Sequence, residues 1–187
     1  MTAPLPPGEF EIISRYFAGR TARGDVVLGI GDDAALLQVP ADRRLAAAMD
    51  TLVEGVHFPA GTAARCIGHR ALAVNLSDLA AMGAEPAWAL LSLSLPESDP
   101  DWLQAFASGF HDLARRYNVA LVGGDTVKGP LVITVQVMGF IEADHALTHG
   151  GARPGDLVYV SGIPGEAAAG LAVIQRHAAR DQRLQRA

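Results

Sequence analysis

Cysteine is nearly absent: of 187 residues, Cys66 alone carries a thiol, so no disulfide can form within the chain, as expected in a reducing cytosol. Cys66 falls in an Ala/Leu-rich helical run, where a small buried filler is expected rather than a nucleophile. Aromatic residues make up 6% of the chain, and Ala and Gly take their place, which suits helices packed tightly on a sheet. Lysine is rarer still, with Lys128 the sole example, and the net charge of -5 argues against a protein that holds nucleic acid on a basic surface. No apolar run approaches the ~18 residues of a membrane span. The start, Met1-Thr2-Ala3-Pro4-Leu5-Pro6-Pro7, has neither the basic nor the apolar region of a signal peptide. A soluble cytoplasmic protein is expected, with no nucleic-acid and no membrane partner. Phosphate loops are missing too. No G-x-x-x-x-G-K-[ST] occurs, and Gly29-x-Gly31 lacks the third glycine of a dinucleotide fingerprint.

Half of the chain is apolar, enough to bury a core for one domain and a fraction of another. Residues 1–7 read as a Pro-rich arm, and Phe10, Ile13 and Phe17 are spaced for one face of a helix over 8–18. Strands are predicted at 26–30, 34–39 and 45–49, followed by a loop at 50–61. The run 63–83 predicts a helix apolar almost all round and therefore buried, with Asn75 and Asp78 three apart on one face. A strand at 88–95, an amphipathic helix at 100–117 with Trp102, Phe106, Phe110 and Leu113 on one face, a short strand at 119–122 and a β-branched strand at 131–141 follow. At 149–155 the texture turns to Gly, Arg and Pro, and then come a strand at 157–161 and an Ala-rich helix running to the end from Gly165. The expected fold class is α+β, a mixed or antiparallel sheet with helices on one face over residues 1–150. One strand and one helix of a second domain follow over 151–187.

What is present in excess is aspartate at the end of a strand or on a buried helix. Asp32-Asp33, Asp50-Thr51, Asn75-x-x-Asp78 and Gly124-Asp125-Thr126 share this character, and neighbouring strands would bring three of them to one end of a sheet. Two carboxylates ~5 Å apart repel by roughly 3 kcal/mol at an effective dielectric of 20, so several such pairs need protonation or a metal. Oxygen donors without a Cys/His cluster select Mg²⁺ or Mn²⁺ over zinc, and Mg²⁺ prefers to bridge substrate phosphates. Each aspartate taken singly is equally a turn former or helix cap. Asp78 fits that reading least, because it lies on the line Ile67, Ala71, Val74, Ala81, where an unpaired charge is costly. Lys128 is a point charge for phosphate or a solvated turn residue, and His57 alone is more simply structural or exposed.

Four motifs together resemble the thiamine-monophosphate kinase family in order and spacing. They are Gly29-Ile30-Gly31-Asp32-Asp33-Ala34-Ala35, the run from Asp50-Thr51 to His57-Phe58, the run from Ala71 through Asn75 and Asp78 to Ala84, and Gly123-Gly124-Asp125-Thr126. The resemblance covers nearly the whole chain. It implies the aminoimidazole-ribonucleotide-synthetase-like fold, whose sheet is completed into a barrel by homodimerisation, with ATP near the subunit interface. It implies transfer of the ATP γ-phosphoryl to thiamine monophosphate, giving thiamine diphosphate. Asp33, Asp50, Asp78 and Asp125 are then Mg²⁺ ligands, more than one ion being involved, with the backbone at Ala48 and Met49 joining them. Gly124, Asp125 and His149 are nucleotide contacts, although family members often carry arginine where this chain has His149. His57 is a substrate contact, and Asp32 keeps no single role. No general base is assigned, since the acceptor is a phosphate oxygen already mostly ionised. The resemblance further implies that the chain is a fragment with little activity alone. A selenophosphate or aminoimidazole-ribonucleotide synthetase, or a non-catalytic dimerising Mg-nucleotide module, stands as the alternative.

Overall fold

The computed structural model describes residues 8–19 and 22–185, with 177–185 as backbone only. The Pro-rich arm at 1–7 lies outside the described residues. The chain divides into two compact units, Met1–Thr148 and His149–Ala187.

In the first unit, β3 (Arg43–Val53), β4 (Glu85–Leu95), β5 (Ala120–Lys128) and β6 (Val132–Glu142) form one sheet in the order β3-β6-β4-β5. β6 pairs antiparallel with both β3 and β4, while β4 and β5 run parallel. The β-branched alternation of β6 explains its central place: Ile133, Val135, Val137 and Ile141 all enter the core beneath the helices. The parallel pair requires a crossover, which α3 (Pro100–Arg116) supplies. Asp99 caps that helix by accepting from the Asp101 amide at 2.9 Å, Pro100 opens it, and Arg115 and Arg116 sit in its last turn. Its buried stripe of Leu103, Phe106, Phe110 and Leu113 is the predicted face with Leu103 in place of half-buried Trp102.

α2 (Ala64–Ala81) lies on the same side, against β3, β4 and β6, and crosses α3 where two glycines meet. A Cβ on Gly68 would stand 2.1 Å from the Phe106 carbonyl oxygen, and one on Gly109 would stand 2.0 Å from the Arg65 carbonyl oxygen. The two backbones touch directly. The fold is thus a mixed α+β layer with an open sheet, helices on one face, as expected.

Several expectations are corrected. α2 is not buried all round: Ile67, Ala71, Leu72, Asn75 and Leu79 face inward, while Arg65, Cys66, His69, Arg70, Ser77 and Asp78 are exposed, because a single layer of helices leaves an outer side in water. Cys66 is therefore an exposed thiol and not a core filler. The first helix is α1 (Glu9–Ile12) continuing into a π-turn, Ile13–Phe17, closed by the Ala18 amide on the Ile13 carbonyl. That wider turn moves the buried set to Ile12, Tyr16 and Phe17 and leaves Phe10 exposed. β3 runs on through Val53, so Asp50 lies inside a strand and not at the head of a loop. β5 likewise includes the whole Gly123–Thr126 motif.

In the second unit, a 3-10 turn at His149–Gly151 precedes α4 (Glu166–Gln185). Residues 157–161 form no strand, and Leu157, Val158, Tyr159 and Val160 are exposed. With no described strand beside them, their backbone has no ladder to join.

Candidate functional site

The acidic turn Gly29–Ala35 is the tip of a two-stranded ribbon, β1 (Val26–Leu28) against β2 (Leu36–Leu37). Val26, Ala35, Leu37 and Val39 lay this ribbon on Trp88, Ala120, Val122, Met138 and Phe140, on the sheet face away from the helices. The bonds at the tip are local: the Asp33 amide donates to the Asp32 carboxylate at 3.0 Å, so Asp32 acts as a turn former while the Asp33 carboxylate stays exposed.

At the base of the ribbon sits a group the sequence did not announce. Arg23 grips Asp25 with two bonds, Nε to Oδ1 at 2.9 Å and Nη2 to Oδ2 at 2.6 Å, and the Trp88 indole donates to Oδ1 at 3.0 Å. The Arg23 hydrogen bond, followed by the Trp88 bond and the guanidinium charge, holds the Asp25 carboxyl below its ordinary value of 3.8 against the opposing effect of burial. A depressed value means the clasp stabilises the fold fully above the ordinary carboxylate range and is lost as pH falls through the lower folded-state value. Asp25→Asn is expected to cost about 2 kcal/mol at neutral pH, from hydrogen bonds to a charged group. In urea titrations the gap from the unsubstituted chain should hold from neutral pH down to about 5 and close progressively below that; a gap that widens toward acid would contradict it. A buried Trp needs an acceptor for its N–H, and that was the available signal.

Asp50 and Asp125 stand apart. β3 and β5 are the two edges of the sheet, separated by β6 and β4, so the residues are roughly 14 Å apart by strand spacing alone. They also occupy opposite faces. Asp50 pairs with Val135 of the helix-side core, whereas Asp125 pairs with Ser92 in the row Thr51, Thr134, Ser92, Asp125 on the open face. In that row Thr51 and Thr134 share a hydroxyl hydrogen bond of 2.8 Å. The expected meeting of three aspartates at one sheet end therefore does not occur within this chain, because the strands carrying them are not neighbours. Among the described residues, no three His, Cys, Asp or Glu side chains gather closely enough to hold a metal ion.

On the helix side, Asn75 is fully buried and accepts the Asp50 amide at 2.9 Å, while its own amide donates to the Ala71 carbonyl. The Asp50 N–H thus points off the free edge of β3. By the two-residue alternation of an antiparallel strand, the Ala48 carbonyl points there too, and the Met49 peptide groups face β6. Asp78, one turn beyond Asn75, is exposed, and neither it nor Asp33, Asp50 or Asp125 enters an ion pair among the described residues. His57 closes the turn after β3, its Nδ1 accepting the Val53 amide at 3.0 Å, which leaves Nε2 for another partner. His149 lies exposed in the second unit. Gly124 adopts φ 152, and a Cβ there would lie 1.8 Å from the Leu91 carbonyl oxygen, so β5 needs glycine at this point on packing grounds alone.

Where the parallel strands β4 and β5 end, a cleft of about 740 Å³ opens between Leu95, Thr126, Val127 and Lys128 and the α1 residues Glu9 and Ile12. Glu97 and Asp99 also face it, two acids that sequence reading passed over. No described helix is long and apolar enough to cross a membrane.

The AIR synthase related protein, N-terminal domain, is the family model that matches, over residues 31–141. The thiamine-monophosphate kinase of Escherichia coli K12 is 52% identical over 169 residues, covering 90% of this chain and 52% of that protein. The crystal structure of thiamine-monophosphate kinase from Stenotrophomonas maltophilia K279a superimposes with a TM-score of 0.79 at 53% identity, covering 83% of this chain and 49% of that one. AaThiL complexed with AMPPCP and TMP follows at 0.69 and 35%, covering 74% of this chain and 45% of that one. The chain spans about half the length of the relatives it matches.

Proposed function

The chain belongs to the AIR synthase related family by its N-terminal domain, and on that premise we propose that it is the ATP-binding part of a thiamine-monophosphate kinase. The reaction is transfer of the ATP γ-phosphoryl to the phosphate of thiamine monophosphate, giving ADP and thiamine diphosphate. The observation that carries this reading is the 52% identity over 90% of the chain to a protein of that name. The neighbour complexed with AMPPCP and TMP supports both ligands.

The donor set suits Mg²⁺: Asp33, Asp50, Asp78 and Asp125 offer hard oxygens that enter no ion pair among the described residues, and the Ala48 carbonyl, which points off the free edge of β3, supports a role beside them better than that of Met49, which faces β6. Mg²⁺ when bound neutralises the repulsion between two polyanions. The chain's own residues do the positioning. Asn75 fixes the backbone of Asp50, glycine at 124 lets β5 pass close to Leu91, and the His57 ring is oriented by Val53. With an ionised phosphate oxygen as acceptor, alignment and charge carry the rate, and no base is required. Gly124, Asp125 and His149 are the proposed nucleotide contacts and His57 the thiamine monophosphate contact.

The site is completed by a second copy. Asp33 and Asp125 belong to the open face, while Asp50 belongs to the β3 edge on the helix side, where its amide meets Asn75 of α2, and Asp78 lies exposed on α2 one turn beyond Asn75. Two-fold pairing of open faces sets the β3 edge of one copy beside the β5 edge of the other and closes a barrel. Leu45, Met49 and Val127 support this face as a dimer surface, since they are large apolar side chains 48%, 63% and 47% exposed. Leu45→Glu is expected to weaken dimerisation by tenfold or more in sedimentation equilibrium; an unchanged dimer constant would place the interface elsewhere. Residues 151–187 are the proposed start of a second domain, and the cytoplasm is the proposed compartment.

Isothermal titration with AMPPCP and phosphate-transfer assays test the reading. Binding that requires Mg²⁺, with any transfer directed to thiamine monophosphate, is expected. Absence of nucleotide binding, or transfer to selenide in its place, would overturn it.

A further inference from the structure

The ribbon that carries Asp33 is short, with three residues in β1 and two in β2, and a two-stranded ribbon of that size does not hold a fixed shape by itself. The side-chain hydrogen bond at its tip is local, and Ile30 and Ala35 are its apolar contacts with the core, so the polar anchors of the ribbon lie at the base. There Asp25 is the hub of the polar contacts. The Asp25 carboxylate takes Arg23 Nε, Arg23 Nη2 and Trp88 Nε1, and the Asp25 carbonyl accepts the Gln38 amide at 2.8 Å, which ties together the two chain ends of the ribbon. Arg23 Nη1 reaches on to the Asn118 carbonyl at 2.6 Å, in the turn between α3 and β5. The anchors on the far side are rigid. Trp88 is fully buried in β4, edge-on to Phe140 at 5.0 Å, and the Arg23 and Asp25 side chains are 10% and 20% exposed.

We propose that Asp25 is the positioning residue of the acidic turn: by binding Arg23 and Trp88 it sets where Asp33 stands over the open face. The proposal rests on the reading of Asp33 as a Mg-nucleotide ligand for its functional half, and on geometry alone for its structural half. Asp25 touches no ligand in this scheme. It acts through the seven residues 26–32, and it adds direction to an apolar packing that has none of its own.

The test separates the two halves. Amide hydrogen exchange at residues 29–35 is measured for the whole chain and for Asp25→Asn, Trp88→Phe, Asp33→Asn and the distant core change Phe110→Leu. Exchange at 29–35 is expected to rise about tenfold in Asp25→Asn and in Trp88→Phe, with β6 unchanged, and not in Phe110→Leu, which loses core packing without touching the clasp. Mg·AMPPCP affinity is expected to fall about tenfold in Asp25→Asn and to stay within twofold in Phe110→Leu. Unchanged exchange at 29–35 in Asp25→Asn, or an equal rise in Phe110→Leu, would overturn positioning by Asp25. A normal affinity in Asp33→Asn together with faster exchange in Asp25→Asn would remove Asp33 from the ligand set while leaving the clasp as the device that holds the turn.

Discussion

Gly109→Ala is expected to destabilise the first unit by about 3 kcal/mol or more, at or beyond the upper end of ordinary overpacking. In an exposed helix the same change gains up to ~1 kcal/mol through propensity, so the sign itself is diagnostic. The cause is the contact between backbones: the new methyl carbon would sit 2.0 Å from the Arg65 carbonyl oxygen, and a carbonyl in a helix cannot rotate away. α2 and α3 would have to separate by more than an ångström, which unseats Ile67 and Leu72 on one helix and Phe106 and Phe110 on the other, all fully or almost fully buried. Gly68→Ala meets the Phe106 oxygen at 2.1 Å and should behave alike. Gly170 in α4 has nothing within 4 Å of its virtual Cβ and provides the control, with Gly170→Ala neutral or mildly stabilising. Urea midpoints decide; a Gly109→Ala midpoint at or above that of the unsubstituted chain would refute the close crossing.

Asp78→Asn is expected to weaken Mg·AMPPCP binding about a hundredfold, the equivalent of ~3 kcal/mol, while moving stability by less than ~0.5 kcal/mol. The second half of that statement comes from the fold. Asp78 is exposed, makes no ion pair among the described residues, and caps nothing, so the helix does not depend on its charge. Its neighbour Asn75 is the opposite case. Buried completely and bonded to the Asp50 amide and the Ala71 carbonyl, it should cost about 1–3 kcal/mol when replaced by alanine, because the Asp50 N–H loses its acceptor. Calorimetry beside urea titration separates the two residues cleanly. Full affinity in Asp78→Asn would leave that carboxylate a solvated surface group.

What could be read from the sequence was local. The run at 131–141 declares itself by β-branched alternation and emerges as β6, shifted by one residue. The helix at 100–117 declares itself by its apolar face and its Asp-Pro start, and ends one residue earlier. The long helix at 63–83 is also there, but its composition concealed which side is wet: small apolar residues fit either side, and Asp78, taken for a charge on an apolar line, is on the outer one. Strand order is non-local and left no mark. Nothing in the residues says that β6 returns between β3 and β4, and that insertion is what parts Asp50 from Asp125. The stretch expected as a strand at 157–161 is a short apolar run with β-branched residues and forms no ladder, since a strand is a property of pairs. The Arg23–Asp25–Trp88 clasp joins residues more than sixty positions apart, beyond any window of periodicity.

The opposite placement of Asp50 and Asp125 has a genetic reading. Under the proposed two-fold pairing, each site borrows Asp50 from one copy and Asp125 from the other, so Asp50→Asn and Asp125→Asn each silence both sites of a homodimer. Mixed in one cell, the two defective alleles would complement. Every heterodimer would unite both lesions in one site and leave the other intact, restoring roughly a quarter of all sites by random assortment of two-fold pairs. A chain carrying both substitutions would instead poison any partner it met.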